Sequence, residues 1–233
     1  MDTFIKGEFP MGRAAGPGGD EHRELICQFS VAGTNQGDAL SRAVRVAILG
    51  RVLGLEFSVK RVGTALDAVA QAALVGASRN CHGVVTIGTL LQKAIEGMDA
   101  AVAQIVEANC RALRQLIAHG VDLHASQFRH AVEVVEKLDA VLIDAIDRAV
   151  DAAEESIKAP WSQAFHAWML NGSASGATAA AGLYQLAEQA RSRPERFHAT
   201  NRAGQTMLDY YTHLVSGVLI GLSDPPLPRS SAA

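Results

Sequence analysis

Eight histidines, three cysteines and one tight group of aromatic rings are the side chains of this 233-residue chain with the most obvious reach for chemistry. His119, His124 and His130 follow one another at steps of five and six. Such steps spread the imidazoles around a helix instead of gathering them on one face, so they read as surface or hinge histidines and not as metal ligands. Cys27, Cys81 and Cys110 are odd in number and widely spaced, which fits reduced thiols better than a disulfide frame or a zinc site. The chain contains no dinucleotide-binding glycine fingerprint, Walker loop, nucleophile elbow or His-Glu-x-x-His run. A di-iron bundle needs Glu-x-x-His pairs on facing helices, and no helical stretch here supplies one. The expectation is a non-enzymatic protein with no cofactor, no metal and no catalytic residue.

The rings are the more individual feature. Trp161, Phe165 and Trp168 bring both tryptophans and one of seven phenylalanines into eight residues, with Met169 directly behind them. Steps of four and three put the rings on one side of a helix. A stripe of this kind packs into a core or a domain seam, or else anchors the protein on an apolar surface or a partner groove, where indoles bury large areas. Tyr210, Tyr211 and the apolar run from Leu214 to Leu222 carry the same two readings. Asn109, alone in an otherwise greasy stripe, fits a register-setting position, and Gly120 fits a hinge or a bend.

Long helices must position these groups. Ala, Val, Leu and Ile dominate while aromatics make up 5% of the chain, a balance suited to thin helix-to-helix seams. From Asp38, a plausible N-cap, Val44, Ile48, Val52, Leu55, Val59, Val62, Leu66, Val69 and Ala73 recur at steps of four and three, a coiled-coil-like seam that the cluster from Gly76 to Gly83 should end. Gly50, Gly54 and Gly63 inside it suggest close helix approach, a kink or ordering on a partner. A second seam runs from Val84 to Leu116, and a third from Phe128 to Ile157 with Pro160 as its boundary; the two merge into one rod if Gly120 only bends the chain. Residues 1–36 read as a disordered or irregular arm, a leader or docking segment. Residues 37–170 read as a long-helix bundle and 171–176 as a linker. Residues 177–223 hold two further helices, Ala177–Arg191 and Gln205–Leu222, before a disordered tail at 224–233. The fold class is all-α: long antiparallel helices in a bundle or coiled-coil-like hairpin.

Charge narrows the partners. A formal net charge of −3 provides no global attraction to nucleic acid or anionic lipid. Locally, eight acids between Glu133 and Glu155 face only Lys137 and Arg148, whereas Arg42, Arg45, Arg51, Lys60 and Arg61 outnumber Asp38 and Glu56 in the first seam. The two segments are complementary and are expected to pair, within one chain or between copies. No apolar run resembles a signal peptide or approaches the roughly 18 residues of a spanning helix, which points to the cytoplasm.

Across roughly residues 38–170, the long Ala/Val/Leu helices, the glycine-interrupted seam and the loosely attached termini resemble the phasins, granule-associated proteins that coat polyhydroxyalkanoate inclusions in bacteria. The resemblance implies a helical, oligomeric, non-enzymatic protein that lays amphipathic faces on a polymer surface. The glycines of the first seam and the aromatic turn at Trp161 depart from that pattern. The alternative is a helical scaffold or secreted effector that binds another protein.

Overall fold

The computed structural model describes residues 17–31, 37–53, 57–80, 86–118, 125–191 and 204–222. Among them the chain is all-α, with eight helices and no strand: α1 (Pro17–Val31), α2 (Gly37–Val52), α3 (Val59–Ser78), α4 (Ile87–Ala118), α5 (Ala125–Ala152), α6 (Glu155–Asn171), α7 (Ala174–Arg191) and α8 (Gly204–Leu222). No described helix is long and apolar enough to cross a membrane. The expected tail at 224–233 and the arm before Pro17 lie outside the described residues, as do Cys81, His119, Gly120 and His124.

The bundle is organised around α4. Its 32 residues extend about 48 Å at 1.5 Å each, and α2, α3, α5, α6, α7 and α8 all pack against it. Apolar and small residues occur on nearly every side of the helix, among them Leu91, Ile95, Met98, Val102, Ile105 and Leu113, which is the pattern of a helix surrounded by others. Seven peptide steps separate Ala118 from Ala125 and reach about 24 Å at most. Two helices of this length packed side by side across so short a connection must run antiparallel. Contacts along other seams show parallel neighbours. Lys93 reaches Asp38 while Gly97 meets Ser41 and Val44, so α2 runs with α4; Gly63 meets Val141 and Asp67 meets Arg148, so α3 runs with α5.

Several boundaries differ from the expectation, each for a local reason. The seam expected to continue from Asp38 to Gly76 is two helices. Ser58, in extended backbone, caps α3 by accepting from the Arg61 N–H at 3.3 Å. Phe57 before the cap and Val62 after it are both buried, the residue pattern of a hydrophobic staple. α3 ends at Ser78, within the cluster from Gly76 to Gly83 expected to end it; Gly76 itself lies inside the helix, and a Cβ there would collide with the Ile26 carbonyl and Phe29, so its bareness admits α1. Residues 17–31 are accordingly helical and not irregular: Leu25 and Phe29, one turn apart, are buried, and the Asn80 amide donates to the Phe29 carbonyl at 3.0 Å. The third seam breaks at Ala153–Glu154, before Pro160, which sits inside α6. Pro160 removes one hydrogen bond to the Ser156 carbonyl, and Ser156 is exposed, where water can take that place.

The residues expected to form a linker at 171–176 make a tight corner instead. Gly172 adopts φ +80, a left-handed value that favours glycine, and α7 begins at Ala174. Leu186, Tyr211, Val215 and Leu219 join the same apolar cluster as the long helices, so α7 and α8 share one core with them. The electrostatic pairing is also rearranged. Basic α2 packs on α4 and α3, and an ion pair joining α3 to α5 has the opposite polarity to the one expected, Asp67 on α3 with Arg148 on α5 at 2.8 Å.

Candidate functional site

The strongest concentration of polar groups inside the bundle lies where α4, α5, α6 and α7 meet. Asp99 on α4 is 5% exposed. Its Oδ2 accepts from the Trp168 indole N–H at 3.1 Å and the Ala174 backbone N–H at 2.7 Å, and its Oδ1 accepts from the Ser175 N–H at 2.9 Å. Asp139 on α5 accepts the hydroxyls of Ser173 at 3.0 Å and Ser175 at 2.7 Å. Ser173 also caps α7, its Oγ accepting from the Gly176 N–H at 3.0 Å. The first turn of a helix carries unpaired N–H donors and partial positive charge, and a carboxylate there satisfies both. Two carboxylates from neighbouring helices thus hold the start of α7 and orient Trp168. An open groove beside them is lined by Gln92, Glu96, Asn171 and Gly172.

Two carboxylates and two serines could suggest acid–base or nucleophilic chemistry, but the hydrogen bonds point elsewhere. Asp99 accepts from three N–H donors, and both serine hydroxyls donate to one oxygen of Asp139. This arrangement fastens a corner.

A second polar contact ties α8 to α4. Asn109 is fully buried, donates from Nδ2 to the Ile105 carbonyl at 2.7 Å, and accepts from the Tyr211 hydroxyl at 2.6 Å. Asn109 therefore links α4 to α8 through a buried hydrogen bond. Burial pushes the Tyr211 phenol well above its ordinary value. Tyr211→Phe would strand the Asn109 oxygen in the core, at an expected cost of about 1 to 1.5 kcal/mol in urea unfolding. Beside this pair, Cys110 faces Gly182 of α7, where any Cβ would strike its sulfur. Burial, and secondarily Glu107, push the Cys110 thiol up to about 11, with Arg114 acting in the opposite direction. Its neutral form favours the fold below an ordinary thiol pKa, and that contribution is lost as pH rises from about 9 towards 11. Native Cys110 should resist alkylation at pH 8 while exposed Cys27 reacts, as peptide mass mapping would report.

Of the two readings of the aromatic cluster, core or binding surface, burial of Trp161, Trp168 and Tyr211 matches the core. Trp161 is fully buried, with its indole N–H donating to the Ile146 carbonyl at 3.2 Å; Trp168 and Tyr211 are also buried. These three cannot present an exposed face, because their polar tips are satisfied inside the bundle. Phe165 is half-buried and stacks on Trp168, ring centroids 5.8 Å apart. Met169 is exposed, and the Tyr210 side chain lies outside the described residues. His130 is exposed, and no group of three or more His, Cys, Asp or Glu side chains among the described residues could hold a metal ion. Sequence reasoning missed Asp99, Asp139 and Ser175. The available signal was an acid at an otherwise apolar position of α4 together with a Ser-Ala-Ser step after glycine.

One family model, described as a family of unknown function (DUF6781), matches residues 17–225. No curated protein and no solved structure matches the chain.

Proposed function

We propose, taking as premise that the chain belongs to the DUF6781 family, that it is a non-enzymatic, self-associating helical protein that applies one side of its bundle to an apolar surface. A phasin-like coat on polyhydroxyalkanoate granules is the specific form of this reading. The observation that carries it is the distribution of exposed apolar side chains. Of the six large ones on the described surface, Met169, Leu170, Tyr184 and Ile220 lie on α6, α7 and α8, and Leu170 is 89% exposed. Isolated exposed apolar residues are ordinary. Here they fall on α6, which leads into the carboxylate-locked corner, and on α7 and α8, which follow it, and the half-buried Phe165, Leu214 and Val218 extend the apolar area of α6 and α8.

Purified protein should co-sediment with polyhydroxyalkanoate particles and with neutral phospholipid vesicles. The double substitution Met169→Glu with Leu170→Glu should lower the bound fraction several-fold at unchanged helicity by circular dichroism, since both side chains already face solvent. Absence of binding by the unaltered protein, or binding indifferent to the two glutamates, would remove the reading.

A further inference from the structure

An open groove between α3 and α5 has an alanine floor, Ala70, Ala145 and Ala149, and a rim that includes Asp67, Arg148 and Asp151, of which Asp67 and Arg148 pair with each other. Its α5 wall continues into an acidic stripe. Glu136, Asp144, Asp147 and Asp151 are exposed and follow steps of three, four or twice four, so helical geometry lines them up on one side of α5, with Asp151 at the edge of the groove. Like charges at these spacings repel within their own helix, and Asp151 in the last turn of α5 opposes the helix dipole. Arg148, four residues after Asp144 and three before Asp151, pairs with Asp67 of α3, so the stripe keeps an excess of negative charge.

The outward stripe of α2 has the complementary character. Arg42, Val46 and Gly50, at steps of four, are all exposed, with half-buried Arg45 beside them; Val46 is 60% exposed. An arginine can reach the carboxylates, the valine matches the alanine floor, and the glycine admits a close backbone. Within one molecule the two stripes cannot meet, because α2 is seated on α4 by Leu40, Val44 and Ile48 while both stripes face solvent. We infer that the α3–α5 groove and its acidic flank receive the α2 face of a second copy of this chain, in a salt-sensitive contact between copies. This inference rests on the self-association included in the function proposed above and names the surfaces that carry it. Two copies exchanging both contacts close a dimer, whereas a one-way contact extends a chain.

The test is the association state of the full chain by sedimentation equilibrium, in 50 mM and 500 mM salt, with particle binding measured on the same samples. Charge pairing predicts at least tenfold weaker association at the higher salt. Arg42→Glu alone, and Asp144→Lys with Asp147→Lys alone, should each give monomers of unchanged helicity; an equimolar mixture of the two should restore association, because each supplies what the other lacks. An oligomer indifferent to salt and to both sets of substitutions would overturn this interface and leave self-association standing. A monomer under every condition would overturn both the interface and self-association, and particle binding by that monomer would leave the apolar-surface reading intact.

Discussion

Asp99→Ala should lower the stability of the bundle by about 3 kcal/mol or more, the largest effect expected of any single polar substitution described above. The change strands the Trp168 indole N–H and the Ala174 and Ser175 backbone N–H groups, all of which now point at one carboxylate. Each orphaned donor costs about 1 to 3 kcal/mol when buried, and the three share one acceptor group, so their costs do not simply add. Ser175 keeps its hydroxyl bond to Asp139, which limits the loss. Asp99→Asn discriminates between geometry and charge. The amide retains one acceptor oxygen but turns an NH2 towards donors, so an intermediate loss is expected. Chemical unfolding followed by circular dichroism reads the stability, and tryptophan emission reads the release of Trp168. A loss below about 0.5 kcal/mol for Asp99→Ala, the range of an ordinary surface substitution, would mean that the corner is held by apolar packing alone.

Gly97→Ala should cost about 2 kcal/mol even though alanine is the better helix former by about 1 kcal/mol. A Cβ at this position would stand 2.5 Å from the Ser41 carbonyl oxygen and 2.8 Å from Val44 of α2. The obstacle is backbone on a parallel neighbouring helix, which no rotamer change can move. Only a shift of α2 away from α4 relieves it, and that shift opens the seam filled by Val44 and Ile48. Gly88→Ala is the control within the same helix. Nothing lies within 4 Å of its added methyl, so it should be neutral or slightly stabilising. Equal thermal midpoints for the two variants would contradict the close packing of α2 on α4.

The glycines show where reading the sequence succeeds and fails. Close helix approach was an expectation for Gly50, Gly54 and Gly63. Gly63 meets Val141 at 3.2 Å from its added Cβ, Gly50 is exposed, and Gly54 lies outside the described residues. The tightest approaches fall at Gly76, Gly97 and Gly182, the first read only as part of a helix-ending cluster and the other two not singled out. A glycine in an apolar helix looks the same whether it faces solvent, a side chain or a neighbouring backbone. The distinction depends on the partner helix, which one-dimensional periodicity does not identify.

For the same reason, the candidate site was only partly legible. Asn109 stood out because a lone amide in an apolar stripe needs a partner, but the partner, Tyr211, is 102 residues away. Asp99 was passed over because its burial becomes visible only when α6 and α7 fold back across α4. Trp161 and Trp168 could be placed on one helical face from their spacing, yet whether that face met solvent or core depended on their neighbours.

What the sequence determined by itself was the all-α class, the long apolar seams, the spans of the last two helices to within a few residues, and the segregation of acidic from basic helices. Each of these follows from interactions that repeat every three or four residues along one backbone. Tertiary structure alone decided that α1 joins the core, that neighbours run parallel as well as antiparallel, and that two carboxylates clasp the start of α7. These features arise from contacts between residues far apart in the chain, where steric fit and the need to pair buried polar groups select one arrangement among many that the same helical periodicity permits.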